Sequence, residues 1–296
     1  MSAHSSTSSG RMLGGVLQQH SKQLEAALGI DPGSARIEAQ CLLQAVLQVN
    51  RAWLLTHPEQ KLDPSHHAQY RAFFKRRLNG EPIAYILGLR EFYGLDFKVT
   101  PATLIPRPDT ELLVEQALQR IPKIGACRVL DLGTGSGVIA LCIAHACPNV
   151  EVVAVDALPE ALEVARENVQ RLNIGNVRLL QSDWFSALQG ECFDMIVSNP
   201  PYVAADDPHL ARGDLRFEPR SALASGADGL DDIRRIVEQA QMHLNPGGKL
   251  LFEHGFDQAE QARRLLQQAG FGEVFSARDL AGIERVSGGR IGEFKK

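Results

Sequence analysis

Much of what would assign this 296-residue chain to a membrane, a disulfide scaffold or a polyanion is missing. No apolar run reaches the roughly 18 residues that span a bilayer. The first dozen residues are rich in Ser and have no apolar h-region, so they do not resemble a secretory signal. The five cysteines (Cys41, Cys127, Cys142, Cys147, Cys192) form no CxxC pair and no metal-ligand spacing with His. Reduced, buried thiols and no metal are expected. A net charge of -4 lacks the electrostatic footprint of a non-specific nucleic-acid binder, so no direct nucleic-acid partner is expected. The expectation is a soluble, cytoplasmic protein.

What is present is ordinary globular material, 44% hydrophobic and 22% charged, long enough for two domains. Residues 1–12 read as a disordered tail. Residues 13–82 read as a helical domain: Leu13, Leu17, His20, Leu24 and Leu28 recur at helical spacing before Gly29, and Asp31-Pro32 and Asp63-Pro64 each pair an N-cap with a first-turn proline. Arg71, Lys75, Arg76 and Arg77 form a basic cluster, read as a solvated helix face or, alternatively, a site for an acidic partner. Over 83–105, Ala84–Leu87 and Leu95–Val99 read as a β-hairpin linker. From 106 to 296 strands and helices alternate, the pattern of a mostly parallel sheet covered on both faces. Its ligands are expected beyond the carboxyl ends of the strands.

The strand ends carry the chemistry. The first runs into Asp131-Leu132-Gly133-Thr134-Gly135-Ser136-Gly137 and then a helix, a turn whose glycines allow close backbone approach to a ligand. A dinucleotide fingerprint would need glycine at position 138, which is Val138. Asp156 closes the second strand, placed either to accept from ribose hydroxyls or to cap the next helix. Asp183-Trp184 follows the third, either as an adenine site or as an N-cap and a buried indole. Beyond the apolar run Phe193–Val197 come Asn199-Pro200-Pro201-Tyr202. Two prolines cannot continue a central strand. They leave an Asn side chain, a prolyl carbonyl and an aromatic face, a set suited to a planar group bearing an NH2. Alone, that tetrapeptide is equally a strand-terminating turn. All four motifs on one sheet edge favour a site.

That order resembles the class I S-adenosylmethionine-dependent methyltransferases, which implies an α/β, Rossmann-like fold with a seven-stranded sheet. Gly80-Glu81-Pro82-Ile83-Ala84-Tyr85-Ile86-Leu87-Gly88, Glu91-Phe92-Tyr93-Gly94, Leu104-Ile105-Pro106-Arg107-Pro108-Asp109-Thr110-Glu111 and Arg216-Phe217-Glu218-Pro219 narrow the resemblance. With them, nearly the whole chain is similar to the peptide chain release factor glutamine methyltransferases. The resemblance implies N5-methylation of the glutamine in the Gly-Gly-Gln loop of class I release factors, which would dock on the helical domain. It implies S-adenosylmethionine, and S-adenosylhomocysteine as product, held by Gly133, Thr134, Gly135, Ser136, Gly137, Asp156, Asp183, Trp184 and Asn199. Asn199, Pro200, Pro201 and Tyr202 would hold the substrate glutamine, with Asn199, Pro200 and Tyr202 catalytic. Arg107 and Glu111 read either as a structural ion-pair network or as ligand contacts, and His254 as structural. The nearest rival is an adenine-N6 methyltransferase acting on DNA or RNA, which would use the same acceptor pair.

Overall fold

The computed structural model describes residues 12–122 and 124–292. Most of the expected N-terminal tail and the tail residues Glu293–Lys296 lie outside them. The chain divides into two compact units. The first comprises the residues up to Gly88 together with Ala211–Phe217, and the second comprises Leu89–Leu210 with the residues from Glu218 onward.

The first unit is built on α1 (Leu13–Leu28), α2 (Pro32–Leu47), α3 (Arg51–Thr56), α4 (Pro64–Leu78) and α5 (Ile83–Leu87). Its caps act as the sequence suggests. Gly29 ends α1 at φ 65°, where a side chain would be strained. Asp31 accepts from Ser34 N, and Asp63 from Ser65 N and His66 N. Leu13, Leu24, Leu42, Leu43 and Tyr70 form the buried centre. Two features differ from expectation. Met12 pairs with Lys61 rather than extending a disordered tail, and Ala84–Leu87 is helical. Pro82 precedes that turn and Gly88 at φ 71° stops it, so a short apolar run took the helical option.

The basic cluster on α4 is not uniformly solvated. Arg71 and Lys75 are exposed, but Arg77 is 3% exposed. Arg77 donates through Nε and Nη2 to the Glu38 carboxylate at 2.7 and 2.9 Å, and through Nη1 to Asp214 at 2.8 Å and the carbonyls of Gly80 and Glu81. This fork holds the 211–217 segment to the helices. Arg77→Met should lower the stability of this unit by about 2 kcal/mol by stranding two carboxylates and two carbonyls. An unchanged urea midpoint would contradict that.

The second unit opens with the hairpin β1 (Leu89–Phe92) and β2 (Leu95–Lys98), fastened by Asn168, which accepts from Lys98 N at 2.7 Å and donates to Lys98 O at 3.0 Å. Then come α6 (Glu111–Leu118), β3 (Cys127–Leu132), α7 (Val138–Ala146), β4 (Val150–Asp156), α8 (Pro159–Leu172), β5 (Val177–Gln181), β6 (Phe193–Ser198), α9 (Asp231–Ala240), β7 (Leu244–Glu253), α10 (Ala259–Gln268), β8 (Gly272–Arg278) and β9 (Glu284–Arg290). The seven-stranded sheet runs β5-β4-β3-β6-β7-β9-β8. β3 to β7 are parallel, and β9 and β8 antiparallel.

Strand alternation feeds two cores. Val129 and Val152 pack with Leu113, Ile139 and Leu141 on one face, while Leu130 and Val153 pack with Ile233, Ile236 and Leu266 on the other. From β3 the chain steps outward to β4 and β5, then returns to place β6 on the other flank of β3. The crevice of the sheet opens at that reversal.

Candidate active site

At the end of β3 the backbone enters the left-handed region at Gly133, Gly135 and Gly137 (φ 69°, 56° and 87°). Asp131, fully buried, fixes this turn: Oδ2 accepts from Thr134 Oγ1 at 2.6 Å and from Ala140 N at 3.2 Å, joining the loop to the first turn of α7. Its Oδ1 has no hydrogen-bond partner among the described residues. Burial raises the Asp131 pKa to about 7, against the pull of Thr134 and the Ala140 N–H. A Cβ at Gly133 would lie 3.4 Å from the Trp184 ring, whereas one at Gly135 would meet nothing within 4 Å. The loop therefore presents bare backbone to open space.

Asp156, half-buried at the end of β4, accepts from Gly135 N through Oδ2 and Leu158 N through Oδ1, at 2.8 and 2.9 Å. It shapes the glycine turn rather than capping α8, whose N-cap position is Leu158. With one bond per oxygen, its carboxylate keeps lone pairs for further donors. After β5, Trp184 adopts φ 50° and turns its ring beside Gly133. Asp183 pairs with Arg235 at 2.8 Å, and no helix follows for it to cap.

At the end of β6, Asn199 Nδ2 donates to Thr110 Oγ1 at 3.1 Å. Among the described residues, no hydrogen bond reaches Asn199 Oδ1 or the Pro200 carbonyl. The chain then pairs Val203 and Ala205 with Leu223, Ser225 and Gly226, which anchors the turn. Tyr202 OH donates to Glu253 Oε1 at 3.0 Å, and Gln258 Nε2 donates to Tyr202 O at 3.0 Å.

Of the sequence-predicted residues, Gly133, Thr134, Gly135, Ser136, Asp156, Asp183, Trp184, Asn199 and Pro201 line one cavity of about 300 Å³. Gly137, Pro200 and Tyr202 are not among the residues that line it. Arg107 also lines it and bonds Glu218, whose other oxygen accepts from Ile105 N at 3.0 Å. The two most distinctive segments of the sequence thus clasp each other. Glu111 accepts from Tyr93 N at 3.0 Å, tying the hairpin to α6. His254 is buried, with its ring nitrogens against Gly255 O and Ser287 Oγ. Sequence reasoning gave no role to Thr110 or Glu253, and Arg235 carried no local signal.

The model of the PrmC N-terminal domain matches residues 16–88, and that of the methyltransferase small domain matches 108–214. The release factor glutamine methyltransferase of Bordetella pertussis is 56% identical over 88% of this chain and 97% of its own length. That of Escherichia coli strain K12 is 50% identical over 87% and 92%. The chain belongs to the release factor glutamine methyltransferase family. It is therefore a protein-glutamine methyltransferase. Two solved structures are similar in fold alone. A methyltransferase from Pyrococcus furiosus has a TM-score of 0.51 at 24% identity, covering 74% of this chain and 97% of its own. The hMettl16 catalytic domain has a TM-score of 0.56 at 16% identity, covering 76% and 84%.

The residues present fit the methyl donor of such a methyltransferase. A glycine backbone facing open space, a carboxylate with spare lone pairs and an indole all border the same cavity. The buried carboxyls have a price in stability. The folded pKa of Asp131 is raised above its unfolded value, so its contribution is full below about pH 4 and is lost as pH rises through about 7. Between about pH 5.5 and about pH 8 the apoprotein melting temperature should fall by a few degrees, and by less in Asp131→Asn. Equal pH dependence in both proteins would refute this role for Asp131.

Proposed function

We propose that this methyltransferase transfers the methyl group of S-adenosylmethionine to the side-chain amide nitrogen (N5) of the glutamine in the Gly-Gly-Gln motif of class I peptide chain release factors, and so modulates translation termination. The observation that carries the reading is the unpaired acceptor pair, Asn199 Oδ1 and the Pro200 carbonyl, at the strand end that borders the glycine-turn cavity.

When bound, S-adenosylmethionine supplies an electrophilic methyl on a sulfonium sulfur and remains as S-adenosylhomocysteine. Gly133 to Gly137 would cradle it, Asp156 would accept from its ribose hydroxyls, and Trp184 with Asp183 would border its adenine. A carboxamide nitrogen is a weak nucleophile because its lone pair is delocalised into the carbonyl. Asn199 Oδ1 and Pro200 O would each accept one of its N–H bonds. Both bonds strengthen as the nitrogen gains positive character, so they favour the transition state over the ground state. Fixing both hydrogens also aims the nitrogen, the proximity contribution. Tyr202, whose hydroxyl is held by Glu253, would support the substrate side of the turn. The helical unit, which matches a family-specific N-terminal model, would dock the release factor. Among the described residues no helix is long and apolar enough to cross a membrane, and the cytoplasm, where release factors act, is the proposed location.

Incubation with labelled S-adenosylmethionine, a purified release factor and nucleic acid in parallel should put label on the release-factor glutamine. Label on nucleic acid alone would establish the adenine-N6 alternative instead. Asn199→Ala should lower kcat by on the order of 100-fold with cofactor affinity nearly unchanged, and near-wild-type turnover would remove its role. Asp156→Ala should weaken cofactor binding by about tenfold or more, and unchanged calorimetric affinity would remove the ribose contact.

A further inference from the structure

The direction in which Asn199 points its amide is not fixed by Asn199 itself. A threonine hydroxyl is both donor and acceptor, so Thr110 could receive from Nδ2 or donate to Oδ1. The choice depends on where the Thr110 proton goes. Glu253, at the end of β7, is 1% exposed, and its Oε1 already receives the Tyr202 hydroxyl. Its Oε2 is buried with no hydrogen-bond partner among the described residues. The Thr110 hydroxyl, whose oxygen receives the Asn199 amide, keeps its own proton to give, and its pull on Glu253 favours the ionised carboxylate. We propose that Glu253 and Thr110 are positioning residues: the Glu253 carboxylate takes the hydroxyl protons of Thr110 and Tyr202, and so holds Asn199 with Oδ1, not Nδ2, toward the methyl-accepting nitrogen.

The chain of dependence runs in one direction. With its proton committed to Glu253, Thr110 is left only as an acceptor, and the NH2 of Asn199 is its donor. The reverse amide orientation would aim an NH2 at the substrate NH2, two donors facing each other. Glu253 must therefore be ionised when the clamp is set. Burial raises its pKa to about 7, with Asp109 adding to the rise and Arg285, Tyr202 and Thr110 opposing it. Asp109 and Arg285 are themselves paired at 3.4 Å, and among the described residues no cation forms an ion pair with Glu253. Protonation turns an acceptor oxygen into a donor and frees one hydroxyl to rotate.

The inference rests on the glutamine-methyltransferase reading, and its test separates the two. Label transfer by the wild-type protein to the release factor tests that reading. The positioning network is tested first without substrate, by NMR of the Asn199 side-chain amide, assigned by its loss in Asn199→Asp. That signal should exchange slowly in wild type and Thr110→Ser, and rapidly in Thr110→Val and Glu253→Gln. Equally slow exchange in Thr110→Val would overturn the proposal whatever the substrate. In turnover, Thr110→Val and Glu253→Gln should lower kcat by about 30-fold with cofactor Kd within about twofold, and Thr110→Ser should stay within about threefold of wild type. The wild-type kcat should rise through about pH 7, a step that Glu253→Gln abolishes. Melting curves confirm that each variant is folded. Because Glu253→Gln is isosteric, wild-type kcat and an unchanged pH profile in that variant would also overturn the proposal.

Discussion

A single hydrogen bond, from Asn199 Nδ2 to Thr110 Oγ1, joins segments 89 residues apart at the lining of the cavity. Both ends are held independently. Asn199 is placed by the end of β6, where two prolines stop strand pairing and the chain returns to pair with residues 223–226. Thr110 is placed by the short turn Pro108–Thr110, which lies between the Arg107–Glu218 clasp and the Glu111–Tyr93 anchor. A cross-link between two rigid segments transmits geometry rather than merely adding stability.

The parallel sheet explains why these parts can meet at all. Strands β3, β4 and β6 are buried on both faces and so leave their chemistry to their ends. The reversal of strand order at β3 then puts the glycine turn and the Asn199 turn on neighbouring strands. The edge is polar and partly unsatisfied: Asp131 Oδ1, Ser136 Oγ and Glu253 Oε2 are buried without partners among the described residues. Unpaired buried oxygens and carboxyls pushed toward neutral pKa values cost stability, as sites built for ligands commonly do.

The sequence made the alternating elements and the four strand-end motifs legible, because periodicity and Gly/Pro punctuation are local signals. It was misleading at Ala84–Leu87, where four apolar residues fit either a strand or a helical turn. It gave no separate signal for α3, since six residues hold too little periodicity; in the structure Asn50 caps that helix by accepting from Trp53 N. The basic cluster on α4 looked uniform in sequence, yet Arg77 is buried against Glu38 and Asp214, partners 39 and 137 residues away that no local pattern reveals. Thr110 stood inside a quoted motif with no role attached. Glu253 ends an apolar strand, and its meaning comes from Tyr202, 51 residues away. Relations of this kind exist only in the folded molecule.

The most direct test of the central claim is a structure of this protein with S-adenosylhomocysteine and a release factor bound. The account predicts the Gly-Gly-Gln glutamine nitrogen at about 3 Å from both Asn199 Oδ1 and the Pro200 carbonyl, with Asn199 Nδ2 still on Thr110. A glutamine seated away from that pair, or an Asn199 whose NH2 faces the substrate nitrogen, would contradict it.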